Sequence, residues 1–442
     1  MATGSKVHLQ ASQKPQYYVN GLRPESAEKA SQLLQTNHEE HHIFFNQSGF
    51  HNHIAHHLLT LFALDASPEE LQKAYDANVT YQRPPEPLKE SIVDDMYDPE
   101  RFKLYLGQEK YYHDFLVYFQ QEINKNGWQR VLQEHLFAGT GHADDMLVRM
   151  YAGFLHPIIH LGFGIEFQQP AIIAEAMAQA AVHDNWMAPL FHGCEKAAKE
   201  TRGKDGSRKT IVQILDECKK DDKLSKSAHF EDGNKIRDGI LKRAPEEMIK
   251  NAVQYTVKEE ELEEKTAEMI NAAVYYTAAA QRPPHQVKFD FFYMHCVNSS
   301  IFFSAFLSPA SSLSPATQCR LLEWKVWNDI TMYVSRGCPS LLINEINGYA
   351  PTKDSGIGEV IKRVNKVEDD GHACKLVRAV ANAEAVCKKW EGKEGMLIKE
   401  DMWRKIGHMA LDSVEAGEPH WVRSCGFKEA WEKIPLRDGM RL

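Results

Sequence analysis

The sequence predicts an all-α protein, one large helical domain made of two packed halves. Three observations carry that prediction. Apolar residues recur at helical spacing along most of the 442 residues. Alternating, strand-like patterns are scarce. Helix-start signals recur, the clearest being Ser67-Pro68-Glu69-Glu70, with serine as N-cap, proline in the first turn and glutamate three residues after the cap.

Taken in order, Pro24 to Ala30 opens a helix that runs towards His42. A histidine-rich stretch beginning at Phe50 leads into the apolar run Leu58, Leu59, Leu61, Phe62 and Leu64, and the Ser67 helix follows. Arg83-Pro84-Pro85-Glu86-Pro87 reads as a loop. Tyr105 to Ile123 carries aromatic residues at helical spacing, and Gln129 to Phe137 and Asp144 to Phe154 read as further helices. Lys199 to Ala244 is charge-dense and poor in aromatics. It is expected to be a solvated connection carrying one or two amphipathic helices. The expected organisation is therefore an N-terminal half over 1–198, a connecting segment over 199–244 and a C-terminal half over 245–442. Pro245 starts a helix reaching about Thr277, Arg282-Pro283-Pro284 breaks the chain, and Phe289 to Leu307 forms a buried aromatic helix.

Composition narrows the function classes. With 43% hydrophobic and 26% charged residues the chain is globular, and its net charge of −9 offers no basic field to nucleic acid or an anionic membrane. The eight cysteines form no CxxC pair, which favours a reducing compartment. Met1 to Lys14 lacks an apolar signal region, and no stretch reaches the roughly 18 apolar residues of a spanning helix. A soluble, cytoplasmic protein is the expectation.

The chemistry concentrates in histidines. In Phe50-His51-Asn52-His53-Ile54-Ala55-His56-His57, residues 53, 56 and 57 share one helical face that continues as apolar core. Buried imidazoles need partners, and a metal is a good one. A second group, His156-Pro157-Ile158-Ile159-His160, places two histidines four residues apart; Pro157 must kink a helix or start one. His295 lies alone on an aromatic face. In Asp369-Asp370-Gly371-His372-Ala373-Cys374-Lys375, an aspartate caps a helix whose first turn carries His372, and Lys375 shares its apolar face. That lysine either snorkels to water or is buried and neutral, lowered by desolvation and by Arg378, in which case carbon dioxide converts it to a carbamate ligand. His38-Glu39-Glu40-His41-His42 matches the zinc-protease pattern without its extension, Glu39 to His42 supplies only one of the two E-x-x-H units of a di-iron bundle, and His142-Ala143-Asp144 matches a facial-triad motif in helical flanks. All three are set aside. Gly162-Phe163-Gly164 is no dinucleotide fingerprint.

The order of these motifs, including Leu155-His156-Pro157-x-x-His160-Leu161-Gly162, Met294-His295 and Asp370-Gly371-His372-x-x-Lys375-Leu376-x-Arg378-Ala379, resembles the questin oxidase-like proteins of fungal polyketide pathways, over roughly Pro15 to Trp431. The resemblance implies oxidative opening of an anthraquinone ring to a benzophenone. It also implies a mononuclear non-haem Fe(II) centre, with dioxygen as co-substrate, held by four histidines and a carboxylated lysine. Carried over, the ligands are Lys375, His372, His295, His160 (with His156 as alternate) and His56 (with His57 and His53 as alternates). Lys375 and His56 are the catalytic candidates. Phe50, Tyr112, Phe291, Phe292 and Tyr293 are candidates to stack on a flat aromatic polyketide. With no nucleotide fingerprint, NADPH is expected to act through a separate reductase that prepares the substrate. The rival readings are a metal-free, NADPH-using Baeyer–Villiger monooxygenase and a non-catalytic binding protein for aromatic metabolites.

Overall fold

The computed structural model describes residues 1–19, 21–201, 208–307 and 312–437. Helix accounts for 64% of the chain. Among the described residues, the strands are one parallel pair, Phe289–Asp290 beside Trp421–Val422. The all-α expectation holds. No helix among the described residues is long and apolar enough to cross a membrane. All eight cysteines are buried thiols.

The chain forms two compact units. The first comprises Met1–Met187 and Val364–Arg378; the second comprises Ala188–Arg363 and Ala379–Leu442. This division differs from the one expected at 199–244. The described part of that segment is not a solvated connection. Its helices Ile211–Lys220, Asp222–Ser225 and Lys235–Ile240 bury Ile211, Ile214, Leu215, Cys218, Leu224, Ile236 and Ile240 in the second unit. Charge density misled because these helices are amphipathic, with lysines and acids on one face and a full apolar stripe on the other. Residues 202–207 lie outside the described set. The larger consequence is that His372 and Lys375, expected in the C-terminal half, belong to the first unit.

In the first unit the helix Ile54–Ala63 is buried along its whole length. Each fully buried leucine or phenylalanine there contributes about 1.5–3 kcal/mol of transfer free energy. The helix Pro24–Glu40 ends at Glu40, short of His42, and Pro68–Val79 starts with the capping box expected at Ser67 and Glu70. Tyr112–Asn126, Ala152–Glu166 and Pro170–Val182 complete the elements that matter below. In the second unit the expected helix from Pro245 is two, Pro245–Ala252 and Leu262–Ala279, and the aromatic helix spans Phe291–Phe306.

Candidate metal centre

His53 is the residue just before the helix Ile54–Ala63, and its carbonyl accepts from His57 N at 2.8 Å. His56 and His57 lie in the first turn of that helix, and all three rings are buried. The second histidine pair sits in Ala152–Glu166, where Gly153, Phe154 and Leu155 have φ of 53°, 57° and 69°. This left-handed run breaks the helix, so Pro157 falls in the first turn of its regular part, where a missing N–H is tolerated. Left-handed non-glycine residues cost about 1–3 kcal/mol each, so the surroundings must enforce them. A Cβ on Gly153 would stand 2.7–2.9 Å from ring atoms of His183 and His51. The third element begins at Asp369, whose carboxylate accepts from Gly371 N and Ala373 N, each at 2.8 Å, and caps the helix His372–Cys387. Gly371 has φ +90°, and a Cβ there would meet His57 Cβ at 2.7 Å.

These three elements bring ring nitrogens of His53, His156 and His372 within 4.8 Å of one another, all buried. The Nδ1 atom of each ring is engaged by an oxygen acceptor. Asp370 Oδ2 accepts from His53 Nδ1 at 2.9 Å, Asp370 Oδ1 accepts from His372 Nδ1, and Gly153 O accepts from His156 Nδ1 at 2.6 Å. An imidazole that donates through Nδ1 carries its lone pair on Nε2. His53 Nε2 and His156 Nε2 therefore confront each other at 2.8 Å with lone pairs on both. A proton or a metal ion relieves that confrontation. Burial, reinforced by the Lys375 charge, pushes the His53 imidazole down to about 3, which disfavours the proton. Nitrogens bound cis to one ion at about 2.1 Å lie about 3 Å apart, so the donor set fits a transition metal. Carboxylate and carbonyl anchors on the far nitrogens are the usual outer shell of such a site.

A second network lies beside the first. Glu175 Oε1 accepts from His38 Nδ1 at 2.5 Å and Glu175 Oε2 accepts from His160 Nε2 at 2.6 Å. Burial raises the Glu175 carboxyl, but the two histidine hydrogen bonds and charges outweigh it and hold the group at about 2. With Nε2 donating, His160 Nδ1 must accept, and it does so from His56 Nε2 at 3.0 Å. That leaves His56 Nδ1 as a buried lone pair with no partner among the described residues.

The structure thus pairs His56 with His160, the two histidines preferred within their clusters, and assembles their alternates His53 and His156 with His372. His57 is buried nearby, with Nδ1 unpartnered and burial pushing its imidazole down to about 4. Lys375 is buried one turn beyond His372 and has no ion pair among the described residues. Burial lowers its pKa, while Asp370, Cys374 and Asp369 oppose the shift. Arg378 does not contribute as expected, because Glu166 neutralises it in a buried ion pair. His295 lies in the second unit, buried, with Nδ1 donating to Phe291 O at 2.6 Å.

The aromatic candidates differ from one another. Phe50 is 47% exposed, and Tyr112 is buried with its ring 4.7 Å from that of His42. Phe292 carries the Arg336 guanidinium over its face, and Phe291 carries that of Arg423. Tyr293 is core, its hydroxyl donating to Tyr333 O at 2.9 Å. Of the motifs set aside, His38 faces Glu175 while Glu39 is exposed, and His142 pairs with His135 at 2.9 Å. The sequence reading passed over Glu175 and Gln179. Their signal was available: they are the only polar side chains in the helix Pro170–Val182.

The sequence profile of the questin oxidase-like family matches residues 50–380, which include every histidine of both networks except His38. Among curated proteins, the chain is 38% identical over 419 residues to "Baeyer-Villiger oxidase ptaJ" of Pestalotiopsis fici, covering 93% of this chain and 94% of that one. It is 37% identical over 443 residues to "Questin oxidase" of Aspergillus terreus, covering 98% of each. It is 38% identical over 429 residues to "Oxidoreductase AflY" of Aspergillus parasiticus, covering 96% of this chain and 86% of that one. The chain belongs to the questin oxidase-like family of oxidoreductases.

Proposed function

We propose that this protein opens the ring system of an anthraquinone with dioxygen, at an iron ion held by His53, His156 and His372. One observation carries the reading: three buried imidazoles, each anchored through Nδ1, are turned onto one another. When bound, iron(II) supplies the one-electron chemistry that lets dioxygen react with a closed-shell aromatic substrate. The chain's own groups set the stage. Asp370 fixes two rings in one tautomer, and Gly153 O fixes the third. His56 Nδ1, its ring held through His160 by the Glu175 carboxylate, offers a buried lone pair that can accept a hydrogen bond from a phenolic hydroxyl. Lys375, buried and low in pKa, is suited to react with carbon dioxide, losing one proton and gaining a carboxylate-like oxygen pair. The resemblance assigns it that ligand role.

Reducing equivalents would arrive with the substrate, as the hydroquinone made by a separate NADPH-dependent reductase. The hydroquinone plus one dioxygen then gives a benzophenone carboxylic acid containing both oxygen atoms. The names of several relatives favour a second reading, a metal-free Baeyer–Villiger monooxygenase. That route places one dioxygen atom in a lactone and takes the second oxygen of the acid from water.

Two measurements test the choice. Elemental analysis of untagged protein, purified without chelator, should find about one iron per chain, lost in His53→Ala and His372→Ala. Turnover under labelled dioxygen should then place two labelled atoms in the product. Active protein without metal, giving one labelled atom, would establish the monooxygenase. Tight anthraquinone binding with no turnover, iron and reductant supplied, would establish a binding protein.

A further inference from the structure

Gln179 is completely buried, and neither its amide nitrogen nor its amide oxygen has a hydrogen-bond partner among the described residues. Leaving such a group unmet costs about 1–3 kcal/mol, so an amide in this state points to a ligand that meets it. Its position follows from the register of two helices. Ala152–Glu166 and Pro170–Val182 are joined by a short turn and run antiparallel. Glu175 meets His160 at 2.6 Å, and His183 closes on Gly153. Gln179 lies one turn from Glu175 along the helix Pro170–Val182 and four residues before its C-cap, His183. His183 Nε2 lies 2.9 Å from His51 Nε2, and the His51 ring stacks on His156 at 3.8 Å with 4° between planes. The glutamate and the histidine on either side of Gln179 are thus both spent on the histidine networks, and only the amide between them is unused.

We propose that Gln179 is the polar anchor of the substrate. Its amide N–H donates to an oxygen of the central ring, a carbonyl in the quinone and a hydroxyl in the hydroquinone, and its amide oxygen accepts from a phenolic hydroxyl on the neighbouring ring. An amide presents a donor and an acceptor side by side, which matches two oxygens flanking one ring fusion. The proposal rests on reading the site as one that takes a hydroxylated anthraquinone or its hydroquinone. It assigns Gln179 the selection of hydroxylated over bare anthraquinones, because a site with buried hydrogen-bonding groups rejects analogues that leave them unmet.

Gln179→Met, close in volume and without polar hydrogen-bonding atoms, tests it through two readouts. The first is thermal melting of ligand-free protein. The second is fluorescence titration with two probes, a dihydroxyanthraquinone bearing both hydroxyls beside one carbonyl, and unsubstituted anthraquinone. The variant should melt higher than wild type, since it removes an unmet amide. It should also bind the dihydroxy probe about 10- to 100-fold more weakly, with affinity for the bare probe and metal content unchanged. A lower melting point makes the amide a structural group and overturns the proposal, whatever the binding. Unchanged preference for the hydroxylated probe overturns it as well, while leaving the anthraquinone reading intact. Wild-type protein that binds neither probe overturns that reading and the proposal together.

Discussion

Asp370→Asn is the substitution that most directly interrogates the proposed metal centre. The carboxylate accepts two hydrogen bonds, from His53 Nδ1 on one oxygen and His372 Nδ1 on the other. Asparagine keeps one acceptor and replaces the other with an amide NH2, a donor. One of the two histidines then meets a donor with its own N–H. It must flip its tautomer, which moves a proton onto Nε2 and removes that nitrogen from the ligand set. Loss of such an anchor typically lowers metal affinity 10- to 100-fold, or about 1.4–2.8 kcal/mol. Competition against a fluorescent chelator at fixed pH reads this directly, without turnover. Asp369→Asn is the control, because among the described residues the Asp369 carboxylate accepts only from backbone Gly371 N and Ala373 N, and it should leave affinity within about threefold. Equal metal affinity in Asp370→Asn and wild type, or equal loss in both variants, would refute the assignment of Asp370 as the shared anchor.

Gly371→Ala should lose at least about 2 kcal/mol in urea unfolding, since the residue has φ +90° and its Cβ would stand 2.7 Å from His57 Cβ; a neutral result would mean the His57 helix gives way easily. Arg378→Ala should cost about 3–5 kcal/mol, because it leaves buried Glu166 without its partner; a cost below 1 kcal/mol would show that the Glu166 carboxyl neutralises itself. Glu175, held at about 2 in the fold, has an ordinary value of 4.5. Its contribution is present above pH 4.5 and fades as pH falls towards 2. The stability advantage of wild type over Glu175→Gln should therefore narrow by about 2 kcal/mol between pH 5 and pH 3. A gap that stays constant across that window would mean the carboxyl is not depressed.

Much of this was legible in the sequence, and the rest fails for identifiable reasons. Helical periodicity and the Ser67 cap gave the architecture of the first unit. The histidine clusters pointed to the candidate centre, because imidazoles in an apolar run demand partners. Which histidine of each cluster serves was not legible. His53, His56 and His57 lie within about one helical turn, and the rings each of them meets depend on the left-handed break at Gly153 and on Asp370, neither of which periodicity encodes. The unit boundary was misplaced at 199–244 because charge density marks amphipathic helices as readily as linkers. Glu175 is conspicuous in an alanine-rich helix, but its role as acceptor for His38 and His160 depends on helix packing that periodicity does not encode.

The late return of Val364–Arg378 into the first unit has a consequence for biosynthesis. His53 and Asp370, which share a hydrogen bond, are 317 residues apart in the chain. When Met187 leaves the ribosome, His53 and His156 are already made, but the anchor that sets the His53 tautomer is not. At usual elongation rates the missing segment follows roughly 10–40 s later. Until then the nascent unit presents loose imidazoles without the geometry to grip an ion. On the iron reading proposed above, metal loading would therefore wait until Asp370 has been made.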